Sequence, residues 1–309
     1  MKISMTTAGL LGSYGVDGTY RMLCEAGFEA VDAGLSAGCG NKKIRSHALP
    51  ETVASESAVL DYARPFAEAA EKYGMENFQA HAPFPVWCGD EQTDRRMVEI
   101  TRWFIHAADS IGCRNLIIHP IVSFNDAPLT LDELWEKNTE FFAQMIPAAK
   151  EYGVKVCLEN MVRYHTVGKE KRPFESSCAD LNEACCYIDT LNELAGTECF
   201  GFCLDTGHMH LVHRDPQAAI RTLDSRLTAL HLNDNIGSTD QHLMPYMGML
   251  DWEAVTLGLA EVDYAGTVNF ESHGTWDVVD PELIPNFMKL TADIGRLFVR
   301  KIEEKKKSL

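Results

Sequence analysis

The feature that most constrains the fold is a regular alternation of short apolar runs with longer segments of helical periodicity. Runs that lack polar alternation are typical of parallel strands covered on both faces, and each run here is followed by a helix-like segment. Several of these segments end at a glycine, which is a common helix stop. The eight predicted strands are 2–8, 28–35, 75–80, 113–118, 154–158, 200–204, 227–230 and 267–270.

Eight strand–helix units in a chain of 309 residues predict a closed (β/α)8 barrel, the TIM barrel, rather than an open sheet. We find no low-complexity linker and no internal boundary, so the prediction is one α/β domain over residues 1–309. In such barrels the functional side chains lie at the carboxyl ends of the strands. The residues at which the apolar runs end are therefore the first candidates for a site.

Charge and cysteine content narrow the classes of partner. The chain has 28 Lys and Arg against 45 Asp and Glu, a formal charge of -17, which disfavours nucleic acid as a partner. No signal-peptide pattern opens the chain, and no apolar run approaches the roughly 20 residues that a membrane span requires. The 10 cysteines include no Cys-x-x-Cys pair and lie largely in apolar runs. We expect reduced structural thiols in a cytoplasmic protein.

Residues able to bind a metal follow six of the predicted strands and occupy the adjacent loops. At the strand ends they are His81, His119, Glu159, Asp205, His231 and Glu271, and in the loops they are His208, Asp240 and His242. One histidine at a strand end is more often a packed rim residue than a ligand. Burying this many carboxylates and imidazoles at one barrel mouth is unfavourable unless a cation compensates their charge. The set as a whole therefore indicates a metal site.

The nine residues divide into an inner and an outer set. The inner set is Glu159, Asp205, His231 and Glu271, an oxygen-rich group suited to Mn²⁺, Mg²⁺ or Co²⁺, with Zn²⁺ also compatible because it includes a histidine. The outer set is His81, His119, His208, Asp240 and His242. Its nitrogen-rich side chains fit either hydrogen bonding to a polyol or binding of further Zn²⁺ ions. Spacing alone leaves both alternatives open.

Two further residues are candidates for substrate contact. Trp87, with Phe84 and Trp276, would form an apolar wall against a sugar face, although aromatic residues near loop starts are more often packing. Arg163 lies four residues after Glu159 and would bind a phosphate or carboxylate, with a surface charge as the alternative interpretation. No nucleophile elbow supports a serine or cysteine hydrolase.

Four short strings resemble the xylose-isomerase-like barrel superfamily, which includes sugar phosphate isomerases and epimerases, ketose 3-epimerases, inosose isomerases and dehydratases, and endonuclease IV. They are Cys-Leu-Glu-Asn at 157–160, Leu-Asp-Thr-Gly-His at 204–208, His-Leu-Asn-Asp at 231–234 and Phe-Glu-Ser-His at 270–273. In the epimerase branch the resemblance implies that Glu159, Asp205, His231 and Glu271 bind one divalent metal. It also implies that Glu159 and Glu271 act as acid and base and that His208 contacts the substrate.

The resemblance also carries a rival interpretation. All nine metal-competent residues match the ligands with which endonuclease IV binds three zinc ions, which would make the protein a phosphodiesterase acting on abasic DNA. The net negative charge argues against binding a DNA backbone. So does the lack of loops in which basic and aromatic residues alternate. One departure concerns the ketose 3-epimerases, in which an arginine is expected six residues after the metal-binding histidine, where this chain has Gly237. Isomerisation, polyol dehydration and C-glycoside cleavage therefore stay open.

The hypothesis that the sequence supports is a carbohydrate isomerase or epimerase that uses a divalent metal, with manganese among the candidates. The metal would polarise a carbonyl and its neighbouring hydroxyl, and Glu159 or Glu271 would remove the carbon-bound proton to give a metal-stabilised enediolate. The expected partner is a small sugar, sugar phosphate or inosose, and a homo-oligomer is left open. A non-catalytic sugar-binding barrel is disfavoured because the carboxylates are intact.

Overall fold

Parallel strands form a barrel whose carboxyl ends meet at one mouth. The structure is a computed structural model that describes residues 1–36, 38–124 and 128–309. The strands are β1 Ile3–Thr6, β2 Ala30–Ala33, β3 Glu76–His81, β4 Asn115–Ile117, β5 Lys155–Glu159, β6 Val162–Val167, β7 Glu170–Glu175, β8 Phe200–Asp205, β9 Leu227–His231 and β10 Val268–Phe270. Within the described ranges, eight of them are parallel and adjoin in the order β10-β1-β2-β3-β4-β5-β8-β9.

The barrel is closed between β9 and β10. Leu232, one residue past β9, forms a parallel bridge with Phe270. The Leu232 amide donates to the Asn269 carbonyl at 2.9 Å, and the Leu232 carbonyl accepts from the Glu271 amide at 3.0 Å. This closure confirms the predicted (β/α)8 barrel, and it brings residues at the two ends of the sheet to the same mouth.

Helices connect the strands and cover the outside of the barrel. They are α1 Leu11–Ala26, α2 Asn41–Arg45, α3 Glu56–Tyr73, α4 Glu91–Ser110, α5 Leu131–Ala143, α6 Ile146–Tyr152, α7 Leu181–Ala195, α8 Thr206–Leu211, α9 Pro216–Leu223, α10 Trp252–Glu261 and α11 Ile284–Lys306. Local sequence sets their ends. Thr130 and Glu133 form a reciprocal capping box at the start of α5, and Gly74 ends α3 in the left-handed conformation at φ 62°. Pro147 is expected to kink a helix or begin a new one, and α6 does begin at Ile146.

The segment after β5 differs from its prediction. The sequence of residues 162–177 is charged and irregular and predicts a loop, whereas β6 and β7 pair as an antiparallel hairpin over residues 162–175. A hairpin of this kind is exposed on much of both faces, so it needs no apolar alternation. Gly168 supplies the turn at φ 67°. The hairpin stands at the barrel mouth because it follows Glu159 directly.

The inside of the barrel is filled by small side chains below the mouth. Ile117, Cys157, Cys203 and Ala229 form a fully buried cluster there. The 10 cysteines are free thiols, as the sequence predicts. Among the helices in the described ranges, none has both the length and the apolar character that crossing a membrane would require.

Candidate functional site

The strand ends bring the predicted inner set to the barrel mouth. Glu159, Asp205 and His231 are the last residues of β5, β8 and β9, and Glu271 follows β10. The first three side chains are at most 1% exposed, and that of Glu271 is 13% exposed. Parallel strands that end together above a filled barrel interior place these side chains in one space.

His231 lies between two of the carboxylates. Its Nδ1 atom is 3.2 Å from Oε2 of Glu159 and 3.4 Å from Oε2 of Glu271. Neither His231 Nδ1 nor Glu159 Oε2 has a hydrogen bond of acceptable geometry among the described residues, although both atoms are buried. Buried polar atoms are seldom left in this state in folded proteins, and a bound ion satisfies them in many metal sites. The two atoms are therefore candidate metal ligands.

Asp205 lies beside this group and is held by its neighbours. One carboxylate oxygen accepts from the His208 amide at 2.7 Å and so caps α8, and the other accepts from the Asn233 side chain at 2.8 Å. Burial, together with the charges of Glu159 and Glu271, raises the pKa of Asp205 to about 6 against the opposing effect of nearby imidazoles. Asp205 lies near Glu159, because Nδ1 of His208 is 3.4 Å from Oε1 of Glu159 and 3.9 Å from Oδ1 of Asp205.

The surroundings of the two glutamates favour their ionised form. Burial opposes the charge on Glu159, but the imidazoles of His231 and His119 hold its pKa well below the usual value. Burial also opposes the charge on Glu271, but the imidazoles of His231 and His242 lower its pKa. Both side chains are therefore acceptors at neutral pH, either for a cation or for a proton.

Asp32 in β2 is a member of the cluster that sequence reasoning missed. The side chain is fully buried, and its oxygens accept from His81 Nδ1 at 2.9 Å and from His231 Nε2 at 3.2 Å. Gln79 donates a further hydrogen bond at 3.1 Å. The two imidazole rings are stacked, with centroids 4.5 Å apart. An ionised carboxylate only accepts, so Asp32 fixes the protons of both rings on the nitrogens that face it.

Asp32 in this way directs the other nitrogen of each ring toward the glutamates. His231 Nδ1 faces Glu159 and Glu271, and His81 Nε2 lies 3.8 Å from Oε1 of Glu271. Burial disfavours a charge on Asp32, but His81 and His231 hold its pKa far below the usual value. The only hint in the sequence is one acidic residue within an apolar strand.

Three members of the outer set form a second group. Oδ2 of Asp240 accepts from Nε2 of His208 and from Nε2 of His242, both at 3.1 Å. The Nδ1 atoms donate to backbone carbonyls, that of His208 to Asn160 at 2.8 Å and that of His242 to Glu271 at 3.0 Å. Each ring thus donates from both nitrogens. Burial opposes this charge, yet the neighbouring carboxylates raise the pKa of His208 well above its usual value and that of His242 to about 10.

The remaining outer residues, His81 and His119, also lie beside the glutamates. His119 Nε2 is 3.0 Å from Oε2 of Glu159, and the His119 ring meets the His81 ring edge to face at 5.7 Å. His81 Nε2 and His119 Nδ1 are buried and have no hydrogen-bond partner among the described residues. All nine metal-competent residues that the sequence predicts are therefore found at this mouth.

The donor atoms fit a metal ion. Several groups of three side chains each place one ligand atom within 4.8 Å of the others. The groups include Asp32-His81-His231, His81-His119-Glu159, Asp205-His208-His242 and His242-Glu271-His273. Carboxylate oxygens with imidazole nitrogens suit Mn²⁺, Co²⁺ or Zn²⁺, and the oxygens alone suit Mg²⁺. His273 is a second residue that sequence reasoning did not select, and its ring is tilted by 34° against that of His242 with the centroids 4.4 Å apart.

The two predicted substrate contacts lie in different places. Arg163 is in β6 and borders a cavity next to the cluster. Trp87 lies under the ammonium group of Lys137 at 5.6 Å and borders a groove between α4 and α5. That groove includes no residue of the cluster. Phe84, by contrast, contacts the His119 ring at 5.0 Å, and Trp276 is 5% exposed.

A closed TIM barrel with acidic and imidazole side chains gathered at its carboxyl mouth defines the class of this protein. The model of the xylose isomerase-like TIM barrel family matches residues 23–287, and the chain belongs to that family. The uncharacterized protein y4fM of Sinorhizobium fredii is 25% identical over 268 residues, which cover 85% of this chain and 72% of y4fM.

Two solved structures share the fold. The 3-keto-D-glucoside 4-epimerase YcjR from E. coli superposes with a TM-score of 0.70 at 17% identity, over 95% of this chain and 99% of YcjR. The IOLI protein, solved with a binding zinc atom, superposes with a TM-score of 0.68 at 17% identity over 100% of both chains.

Proposed function

We propose that the protein is a divalent-metal-dependent isomerase or epimerase of a sugar, sugar phosphate or inosose, and that it works by proton transfer next to a carbonyl. The observation that carries the proposal is the approach of Glu159, His231 and Glu271 to one point. Asp205 lies beside them, because Nδ1 of His208 is 3.4 Å from Oε1 of Glu159 and 3.9 Å from Oδ1 of Asp205. The 3-keto-D-glucoside 4-epimerase YcjR, which shares the fold, supports this class of reaction, and the IOLI structure with a binding zinc atom supports a role for a metal.

The metal ligands in this proposal are Glu159, Asp205, His231 and Glu271. A bound divalent cation would polarise the carbonyl and the adjacent hydroxyl of a sugar and so acidify the carbon-bound proton. His231 would use Nδ1, because Asp32 holds its Nε2. Glu159 and Glu271 would offer one oxygen each and keep the second for the reaction.

In this proposal Glu159 and Glu271 are the groups that transfer protons. The surroundings of both favour the ionised form, so either can accept a proton from carbon. They approach His231 Nδ1 from strands β5 and β10, which are not neighbours in the sheet. Carboxylates reaching a sugar carbon from different sides permit removal of the proton on one face and return on the other. His208 would donate to a substrate oxygen through Nε2, in exchange for the hydrogen bond that this atom makes to Asp240.

Dehydration of a polyol and C-glycoside cleavage begin with the same proton removal, so the geometry is compatible with either. The reactions differ in whether the second step returns a proton to carbon or expels a leaving group. Product analysis separates them: an isomer or epimer has the mass of the substrate, whereas a dehydrated product is lighter by one water.

A zinc phosphodiesterase is the second candidate, and one observation favours it. Nε2 of His208 and Nε2 of His242 meet at a single oxygen of Asp240 while backbone carbonyls hold both Nδ1 atoms. Carbonyl-anchored imidazoles around one carboxylate form a three-ligand arrangement that a second ion would fit once the rings lose protons. The net charge of -17 opposes contact with DNA.

Solvent exchange tests the proposed function directly. Purified protein loaded with Mn²⁺, Co²⁺ or Zn²⁺ is incubated in D₂O with ketoses, ketose phosphates, inososes and keto-glycosides, and carbon-bound deuterium is measured by mass spectrometry and NMR. We expect incorporation that chelation abolishes. Cleavage of abasic-site DNA without incorporation into any sugar would replace the proposal with the phosphodiesterase.

The free thiols also bear on location. Ten unpaired cysteines fit a reducing compartment, and we propose the cytoplasm. The proposed partner is a small carbohydrate rather than nucleic acid.

A further inference from the structure

The hairpin β6–β7 rises beside the site from the end of β5. Val162 is three residues past Glu159, and Arg163 pairs across the hairpin with Phe174. Side chains alternate along a strand, so Arg163 and His165 share one face while Tyr164 points from the other. The His165 ring contacts the Phe174 ring edge to face at 5.4 Å. This contact joins the two strands on the hairpin face that carries Arg163.

Tyr164 fixes the hairpin to the barrel mouth. Its hydroxyl accepts a hydrogen bond from the Asp240 amide at 2.8 Å. Asp240 in turn accepts from both His208 and His242. The strand that carries Arg163 is therefore tied to the outer residues of the site, and the position of Arg163 relative to the cluster is set by this contact.

Arg163 borders a cavity of about 250 Å³ next to the cluster. The other residues that line the cavity include Phe84, Met161, Ser123 and Phe124. Phe84 also contacts the His119 ring at 5.0 Å. One aromatic side chain thus separates this cavity from an imidazole that touches Glu159.

The Arg163 guanidinium lacks a partner among the described residues. Its Nε atom is buried without a hydrogen bond, and no ion pair joins Arg163 to another described residue. Acidic side chains outnumber basic ones by 45 to 28, and other arginines of the hairpin region, such as Arg172 and Arg214, are paired with glutamates. The Arg163 guanidinium is partly buried and has no partner among the described residues. Such a group is suited to bind the oxyanion of a ligand through two parallel hydrogen bonds.

We propose that the substrate carries an oxyanion, either a phosphate or a carboxylate, and that Arg163 binds it in this cavity while the sugar carbonyl lies at the cluster. The proposal rests on the proposed function and names its substrate class as anionic sugars. The hairpin has four basic and two acidic residues between 162 and 175, so its field attracts an anion in an otherwise acidic protein.

Binding of small anions tests the subsite without turnover. Metal-free protein with ¹⁵N-labelled arginine is titrated with inorganic phosphate and, separately, with glycolate, and the Arg Nε–H resonances are followed by NMR. Arg163→Lys assigns the Arg163 signal by its absence. Calorimetry compares wild type with Arg163→Gln and with the control Arg172→Gln, which removes an exposed, Glu170-paired charge from the same hairpin.

We expect the Arg163 signal to shift saturably, the affinity to fall at least about tenfold in Arg163→Gln, and Arg172→Gln to stay within about twofold of wild type. Preference for phosphate indicates a sugar phosphate, and preference for glycolate indicates a sugar acid. Binding of neither anion, or equal losses in the two variants, would overturn the subsite.

Turnover separates this proposal from the one on which it rests. Deuterium exchange into sugar phosphates and sugar acids at equal kcat/KM in wild type and Arg163→Gln would overturn the subsite and leave the proposed function standing. Arg163-dependent phosphate binding without exchange into any sugar would support the oxyanion site and contradict the proposed reaction.

Discussion

Asp32 and His231 lie 199 positions apart in the chain and meet inside the barrel, where the carboxylate accepts a hydrogen bond from Nε2 of the ring at 3.2 Å. This contact orients Nδ1 of His231 toward Glu159 and Glu271. Asp32 has no described contact with those glutamates, so its role is to position the imidazole. The arrangement matches the carboxylate–histidine pairs that support metal ligands in other proteins.

Replacing Asp32 by asparagine tests this positioning. Asn presents either an oxygen or an amide to His231 and no longer selects one ring proton, so we expect metal affinity to fall about 10- to 100-fold while the barrel stays folded. The affinity is measured by competition with a chromogenic chelator, and circular dichroism checks the fold. Glu68→Gln, which changes an exposed carboxylate on α3, is the control. Unchanged affinity in Asp32→Asn would refute the assignment.

The acid and base assignments predict large losses of activity. Glu159→Gln and Glu271→Gln each remove an ionised carboxylate of nearly unchanged size, and we expect deuterium exchange to fall by about 10²–10⁴-fold. Exchange is measured on whichever sugar the wild-type protein labels, at saturating metal so that weakened metal binding is compensated. Near-wild-type exchange in both variants would exclude the glutamates as proton-transfer groups.

Metal binding should release protons. Burial, together with Glu159 and Glu271, raises the pKa of Asp205 to about 6, and the charges of Glu271 and Glu159 raise the pKa of His231 despite its burial. A cation competes with these protons, so its apparent affinity should weaken already as the pH falls below the raised pKa of His231, and more steeply below about 6, where Asp205 also takes up a proton. The expected slope is on the order of tenfold per pH unit for each proton displaced. Calorimetry at pH 7 in two buffers of different ionisation enthalpy measures the release. Identical binding enthalpies in both buffers would contradict it.

The outer group predicts a pH-dependent contribution to the stability of the metal-free protein. Burial opposes the charge on His242, but Glu271 and Asp240 raise its pKa to about 10 from an ordinary value of 6.5. A raised imidazole pKa stabilises the folded state fully below pH 6.5, and the stabilisation is lost as the pH rises through 10.

Asp240→Asn should accordingly lower the free energy of unfolding at pH 6 by on the order of 3 kcal/mol, because it removes the carboxylate shared by two buried imidazolium rings. The difference from wild type should shrink between pH 7 and pH 10. Urea unfolding across that range measures it, and a difference that does not vary with pH would argue against the ion pair.

The sequence predicts the barrel and its mouth because strand ends coincide with changes from apolar to polar residues. Glu159, Asp205 and His231 are each the last residue of a strand, so reading the ends of the apolar runs finds them. The same method does not find Asp32. It lies in β2 and is followed by Ala33, Gly34 and Leu35. Its partners Gln79 and His81 are on the neighbouring strand β3, whereas His231 is on β9, which only barrel closure brings near.

Two other features depend on tertiary context. The hairpin β6–β7 lacks an apolar alternation because most of its surface meets solvent, so its charged sequence predicts a loop. Trp87 follows β3 closely enough to suggest the mouth, yet the chain turns outward and packs the indole against Lys137. Loop direction is set by long-range packing rather than by local sequence.

The proposed chemistry depends on one divalent cation shared by Glu159, Asp205, His231 and Glu271. Anomalous diffraction from crystals of the Mn²⁺-loaded protein locates that ion without reference to activity. We expect a strong anomalous peak within about 2.0–2.3 Å of a carboxylate oxygen from each acidic residue and of Nδ1 of His231. A Mn²⁺ peak bound by other residues, with these four side chains still hydrogen-bonded to one another, would contradict it.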